Sequence, residues 1–294
     1  MALKKQSQSQ VVVITGCSSG IGLATAQLLH ERGHQVFATA RRADDVVRLQ
    51  QQGWASLLLD LDDSASISSA LQQIVQYSGG RIDVLFNNGA YGQPGAVEDL
   101  PREVLQQQFQ TNLFGTHELT RQVIPLMRQQ GYGRIIFNSS VLGLIALPFR
   151  GAYNASKYAL EGLADTLRLE LYGSGIEVSL IEPGPIESRF RANSYAAWQR
   201  TIAGAPSHFT PAYTGMIQRL TKEGAAAPFT LPAEAVARKV VHAVESRRPK
   251  ARYFVTFPTW LFGLLRRLLT TRQLDWVLRR VSADELVRGE SRDD

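Results

Sequence analysis

The chain has 294 residues, 44% hydrophobic and 20% charged, with glycine and proline spread throughout, which suits one large globular domain. Its single cysteine, Cys17, excludes an internal disulfide and suits a reducing compartment, so the expected location is the cytoplasm. A net charge of +6 and a pI near 9.6 accompany no recognisable nucleic-acid module; they point to solubility and attraction for anionic small molecules, and away from nucleic acid.

The amino terminus, MALKKQSQSQ, is short and polar and lacks the apolar segment of a signal peptide. No run approaches the ~20 apolar residues that span a bilayer. QVVVITG reads as a short β-branched strand closed by glycine. The loop TGCSSGIG follows, and then a helix, GIGLATAQLLHERG, with Ile21, Ala24, Thr25, Leu28 and Leu29 at helical spacing and a stop at Gly33. Gly16, Gly20 and Gly22 let the backbone turn tightly and approach a ligand, while the helix behind them aims amide N–H groups at a phosphate. A glycine triplet between an apolar strand and an amphipathic helix is the context that binds a dinucleotide. Cys17 inside it reads as a small loop residue. His30 and His34 stand four apart, as zinc ligands can, but Gly33 ends the helix between them and no third ligand is near. They read as surface histidines, with no metal site.

HQVFATA is the second strand. An acid at its end would hold the adenosine ribose hydroxyls and repel a 2′-phosphate, but the sequence there is FATARRADD, with Ala40 in that place and Arg41 and Arg42 after it. Two guanidiniums favour a phosphorylated ribose, hence NADP(H) over NAD(H). Asp44 and Asp45 read as first-turn acids of the helix ADDVVRLQQQG. WASLLLDL and RIDVLFNN are strands with the helix SASISSALQQIVQYS between them. REVLQQQFQTNLFGTHELTRQVIPLMRQQG reads as one helix and GRIIFNSS as a strand.

In the helix through GAYNASKYALEGL, Tyr153, Lys157, Leu160, Ala164, Leu167 and Leu171 follow steps of four and three, the stripe that a helix buries. A phenol and an ammonium one turn apart are expected to work together: the cation favours the phenolate and brings the tyrosine down from its ordinary value near ~10. GIEVSLIEPG is the next strand. Residues 184–230 lose sustained period and read as a long loop with short helices that covers the substrate. Phe190, Tyr195, Trp198, Phe209, Tyr213 and Met216, joined by Leu142, Leu144 and Leu147, would make it an apolar lid. A helix over 233–245 and a strand near ARYFVTF restore regular structure. FPTWLFGLLRRLLTTRQLDWVLRR mixes Trp, Phe and Leu with arginines, as in a segment that lies on a membrane surface, packs on a second subunit or packs on its own domain. Apolar strands alternating with amphipathic helices imply an α/β fold with a parallel sheet covered on both faces.

With the glycine loop, NNGA at 87–90, Asn112, Ser140, Tyr153 and Lys157 in order, the chain resembles the short-chain dehydrogenases/reductases over about residues 10–255. GCSSGIG, SSVLGLIALPFRGAYNASKYAL and SLIEPGPIESRF look most like bacterial NADP-dependent aldehyde reductases, which in turn look related to hydroxysteroid and retinol dehydrogenases. The resemblance implies a doubly wound, seven-stranded parallel sheet of Rossmann type in a single domain, with a lid over 184–230, a C-terminal extension over 256–294 and a homo-oligomeric assembly. It implies that Gly16, Ser18, Ser19, Gly20 and Ile21 line the pyrophosphate and ribose site, that Arg41 and Arg42 meet the 2′-phosphate, that Asp60 and Leu61 sit by the adenine and Asn87 by its ribose, and that Pro183, Gly184 and Ile186 frame the nicotinamide. Asn112, Ser140, Tyr153 and Lys157 would be the catalytic set. In it Asn112 holds a water, Ser140 (rather than Ser139, which the alternation of a strand turns to the other face) positions the substrate oxygen, and Lys157 holds the nicotinamide ribose. The family usually has NNAG, so the swapped small pair is expected to shift the loop at 89–91.

The expected activity is NADPH-dependent reduction of a hydrophobic aldehyde or ketone with Tyr153 as general acid. The alternatives are an alcohol, hydroxysteroid or retinol dehydrogenase running the other way, and a non-catalytic NADP(H)-sensing protein.

Overall fold

The computed structural model describes residues 9–225 and 227–285. The amino-terminal segment before residue 9 and the end of the expected extension, 286–294, lie outside the described residues. Each apolar run of the first half becomes a strand and each periodic run a helix: β1 (Val11–Ile14), α1 (Gly20–Glu31), β2 (Gln35–Ala40), α2 (Ala43–Gln51), β3 (Ala55–Leu58), α3 (Ser64–Tyr77) and β4 (Val84–Asn87). Then come α4 (Arg102–Phe109), α5 (Thr116–Gln130), β5 (Gly133–Asn138), α6 (Gly151–Glu170) and β6 (Ile176–Glu182). The chain continues through α7 (Phe190–Thr201), α8 (Thr210–Thr221), α9 (Ala233–Glu245), β7 (Arg252–Phe254), α10 (Phe257–Leu268) and α11 (Thr271–Val281).

The strands form one seven-stranded sheet in the order β3-β2-β1-β4-β5-β6-β7, every pair parallel. Alternation along β1 sends Val11 and Val13 to one face and Val12 and Ile14 to the other. The first face packs on α3, α5 and α6 through Ile67, Leu119, Val123 and Leu160; the second packs on α1, α2 and α9 through Leu29, Leu49, Val236 and Val240. Helices on both faces explain why the strands read as continuous apolar runs. The order reverses between β1 and β4, and at such a switch point the carboxyl ends of the strands leave a crevice for a ligand.

Two expectations are corrected. The helix expected over 102–130 is interrupted by a π-helical turn, Gln110–Gly115, which contains Asn112. At Gly115 a Cβ would come within 1.9 Å of the Leu61 carbonyl oxygen, so only glycine lets this turn seat against the strand layer. Residues 184–230 hold two twelve-residue helices, α7 and α8, more regular structure than the expected long loop with short helices. Tyr213, Met216 and Leu220 do fall at helical spacing, and with Phe149, Ile202 and Ala96 they build a separate small core. The prolines and glycines that flank them masked a pattern only three turns long.

Candidate active site

Gly16 and Gly20 stand at φ +70° and +58°, a left-handed backbone that glycine adopts without a Cβ clash. Gly22 is required for space: a Cβ there would lie 2.3 Å from the Gly16 carbonyl oxygen. Ser19 caps α1 without a side-chain hydrogen bond into it, and the first turn carries no acid to answer the amide end of α1. The Ser18 carbonyl accepts from Arg48 Nη2 at 2.7 Å, and Ile21 packs into the core.

The loop is tied to β4 by a residue that sequence reasoning missed. Asn88 Nδ2 donates to the carbonyls of Thr15 and Gly16 (2.9 and 3.2 Å), and its Oδ1 accepts from Asn138 Nδ2 at 2.9 Å. Thr15 Oγ1 accepts the N–H groups of Asn88 and Gly89 (2.9 and 2.8 Å), which anchors the swapped NNGA pair. Asn87 is also held on the α5 side. Its Nδ2 donates to Thr120 Oγ1 on α5 at 3.0 Å, and its Oδ1 finds no partner among the described residues. Leu61 is likewise buried in the core, and Asp60 Oδ1 is engaged by the Asp62 N–H at 3.1 Å. Past β2, Arg41 and Arg42 are exposed, and Arg42 lies 3.8 Å from an equally exposed Asp44. Cys17 is fully buried and its thiol is pushed up to about 12 by that burial, which makes it inert. His34 is not on the surface as expected: its Nδ1 accepts from Gln10 N and its Nε2 meets Glu245, both at 3.2 Å.

At the carboxyl ends of β5 and β6, Val141 N donates to Pro183 O at 2.8 Å, which locks Ser140 beside the start of the 183–186 segment. Ser140 Oγ accepts from Leu142 N at 3.1 Å and keeps its own proton to give. Gly184 packs so closely on Thr256 that a Cβ would sit 2.1 Å from its hydroxyl, and Ile186 pairs with Leu231 to close the base of the lid. Of the lid aromatics, Phe190 reaches the site, with its ring 5.2 Å edge-on from that of Tyr153; Tyr195, Trp198, Phe209 and Tyr213 pack in the small core instead.

Lys157 is 2% exposed and donates to Asn138 O at 2.7 Å; its other two ammonium protons meet no acceptor among the described residues. Burial pushes Lys157 down to about 8, with the Glu161 carboxylate opposing. Burial pushes the Tyr153 phenol above its ordinary 10.0, with Ser140 pulling the other way. In the protein alone the phenol thus stands above its ordinary value, where the neighbouring cation was expected to bring it down. The ammonium is 5.6 Å from the ring centroid and directed at Asn138, and desolvation keeps the phenol protonated. Asn112 spends both amide protons on Tyr91 O and Ser156 Oγ (2.9 and 3.2 Å) and accepts from Tyr91 N at 3.1 Å. Its side chain therefore ties the segment after β4 to the turn that carries Lys157, and both of its amide protons are taken.

Beneath Lys157 lies a buried charge cluster. Arg252 on β7 bonds Glu161 on α6 and Glu182 at the end of β6, and reaches Asp165 at 2.6 Å. Burial raises both glutamates above the ordinary carboxylate range, Arg252 opposing. The available sequence signals were Glu161 one turn after Lys157 and a lone acid ending the apolar run VSLIE.

A parallel sheet with a glycine loop at its switch point, and a serine, a tyrosine and a buried lysine at the same end, defines a dinucleotide-dependent oxidoreductase fold. Residues 10–199 match the short chain dehydrogenase family, and the chain belongs to it. It is 44% identical over 268 residues to the uncharacterized oxidoreductase YbbO of Escherichia coli (strain K12), covering 91% of this chain and 93% of that one. It is 32% identical to the NADPH-dependent 3-dehydrocapnine reductase of Ornithobacterium rhinotracheale (90% and 94% covered) and 33% identical to human 17-beta-hydroxysteroid dehydrogenase type 1 (84% and 77% covered). Among solved structures, a short-chain dehydrogenase/reductase from Burkholderia phymatum in complex with NAD matches with TM-score 0.75 and 25% identity, over 93% of this chain and 96% of that one.

Proposed function

We propose that this chain is an NADPH-dependent reductase of hydrophobic aldehydes or ketones. The observation that carries the reading is a protonated Tyr153 beside a Ser140 hydroxyl with a proton to give, next to a buried ammonium with unanswered protons. The dinucleotide, when bound, supplies hydride from its nicotinamide. The amide end of α1 would hold its pyrophosphate, and Arg41 and Arg42 would bind a 2′-phosphate where Ala40 removes the usual acid. Lys157 would hold the ribose hydroxyls with the two protons that find no acceptor in the protein.

Ser140 then donates a hydrogen bond to the substrate carbonyl oxygen, and Tyr153 Oη delivers the proton that the oxygen takes up as it becomes an alcohol. A phenol held protonated by burial is suited to that donation. Phe190 against Tyr153 and the lid around it favour an apolar substrate. The NADPH-dependent relative named above supports the cofactor assignment. The family resemblance carries the further expectation of a homo-oligomer.

Oxidation of NADPH and of NADH against aliphatic aldehydes of increasing chain length and against cyclic ketones tests the proposal. The expected result is a kcat/KM preference for NADPH of about ten-fold or more, worth ~1.4 kcal/mol, narrowed by Arg41→Ala, with kcat/KM rising with chain length. A preference for NADH overturns the cofactor assignment, and no turnover with any carbonyl overturns the reductase.

A further inference from the structure

We propose that α10 forms a docking face for an anionic lipid bilayer and sets the mouth of the substrate cleft against that surface. Phe257, Trp260, Leu261, Leu264 and Leu268 recur at helical steps along α10, and every one of them is exposed: Trp260 at 63%, Leu264 at 54% and Leu268 at 70%. The opposite side of the same helix is already used. Phe262 and Leu265 pack with Ile145, Leu142 and Leu147 on the segment after Ser140, and Thr259 is buried against Thr256 beside Gly184. So α10 has one apolar face covered by its own domain and a second that the described residues leave largely exposed, the mark of an interaction surface.

The outer face is continuous with the cleft. Phe257 contacts Phe229 at the end of the lid, ring centroids 5.1 Å apart, and Trp260 packs on Phe254 of β7 at the same distance. A molecule that entered along this strip would arrive at the base of the lid, beside the 183–186 segment.

Charge selects the occupant. From Phe257 to Val281 the chain carries five arginines against one aspartate, Asp275. Arg267, Arg272, Arg279 and Arg280 are exposed around the apolar strip, and Arg280 lies over the exposed Trp276 ring at 3.7 Å. Two copies of this chain paired through the face would oppose arginine to arginine. A bilayer with anionic headgroups instead takes the aromatic and leucine side chains into its interface and the guanidiniums onto its phosphates. The twelve residues of α10 reach about 18 Å, well short of the ~30 Å of a hydrocarbon core, and no helix among the described residues is long and apolar enough to cross a membrane, so α10 lies on the surface. Docking stands independently of the chemistry; its use for delivering an apolar carbonyl rests on the reductase reading.

The test is co-sedimentation of the full chain with phosphatidylcholine vesicles, with and without roughly 30 mol % phosphatidylglycerol, at low and high salt. The expected result is binding to the anionic vesicles at least about ten-fold tighter than to neutral ones and weakened by salt. Leu264→Glu with Leu268→Glu should lower it about ten-fold, and Arg267→Glu alone should lower it while leaving the apolar strip intact. Both variants should keep wild-type Tm and wild-type turnover of a short, water-soluble aldehyde. No preference for anionic vesicles, or binding unchanged in the variants, overturns the proposal. So does a wild-type dimer that the Leu264→Glu/Leu268→Glu variant converts to monomer without change in vesicle binding, which would make the face a contact between copies. If every carbonyl fails as substrate, sedimentation and Tm still decide the docking claim on their own.

Discussion

At Tyr153 and Lys157 the same cause, desolvation, acts in opposite directions on the charges: it keeps the phenol neutral and makes the ammonium easier to discharge. Tyr153→Phe removes the proposed proton donor and keeps the ring that packs on Phe190. Turnover should fall by on the order of 10²–10⁴ while dinucleotide affinity, read by fluorescence titration, stays near wild type; full turnover would remove Tyr153 from the chemistry. Lys157, at about 8, sheds its ammonium proton as pH rises through that value, so a step that needs the ammonium fades on the alkaline side. Glu161 is the group that opposes this loss. In Glu161→Gln the alkaline limb of the kcat/KM profile should move to lower pH, and an unmoved limb would cut the link between the two residues.

Among elements, the glycine loop and α1 meet with no space to spare. Gly22→Ala would drive a methyl into the Gly16 carbonyl and toward the Asn88 amide that ties the loop to β4. Backbone cannot swing aside as a side chain can, so the loop must open, at a cost of about 1–3 kcal/mol. Dinucleotide binding measured by calorimetry should weaken about ten-fold or more; affinity equal to wild type would show that the loop does not form the phosphate site. The elements around this loop were legible in sequence because each is local: a β-branched run, a glycine stop, a stripe at steps of three and four. The π-turn at Asn112 was not, since nothing in QTNLFG distinguishes it from the α-helix on either side. It is seated by Leu61 from a distant part of the chain. The lid helices were underestimated for a similar reason, their apolar side chains being answered by Phe149 and Ala96 far away in sequence.

Over the whole molecule, Arg252 joins the last strand to α6 through Glu161 and to β6 through Glu182, and burial pushes both of these carboxyls up. Glu182 is pushed up to about 8 from 4.5, first by desolvation and then by the Glu161 charge. Between those values the folded chain keeps a proton that the unfolded chain has released. The linked stability is therefore fully present below 4.5 and is lost as pH rises through about 8. Wild type should lose on the order of 1–3 kcal/mol more than Glu182→Gln on going from about pH 5 to about pH 9, read from denaturant midpoints. Equal pH dependence of the two proteins would show that the cluster keeps no such proton.

The order of strands and helices, the glycine loop, the Tyr153–Lys157 stripe and the arginines at the end of β2 were determined by the sequence itself, because spacing and side-chain chemistry along a few turns suffice to define them. Tertiary structure alone decided that Asn88 holds the glycine loop, that the amide protons of Asn112 go to Tyr91 and Ser156, and that Glu161, Glu182 and Arg252 meet in one cluster. It also decided that desolvation raises the Tyr153 phenol. Those outcomes depend on which distant groups come within hydrogen-bond reach and on how much water is excluded from them, and neither quantity is carried by local spacing.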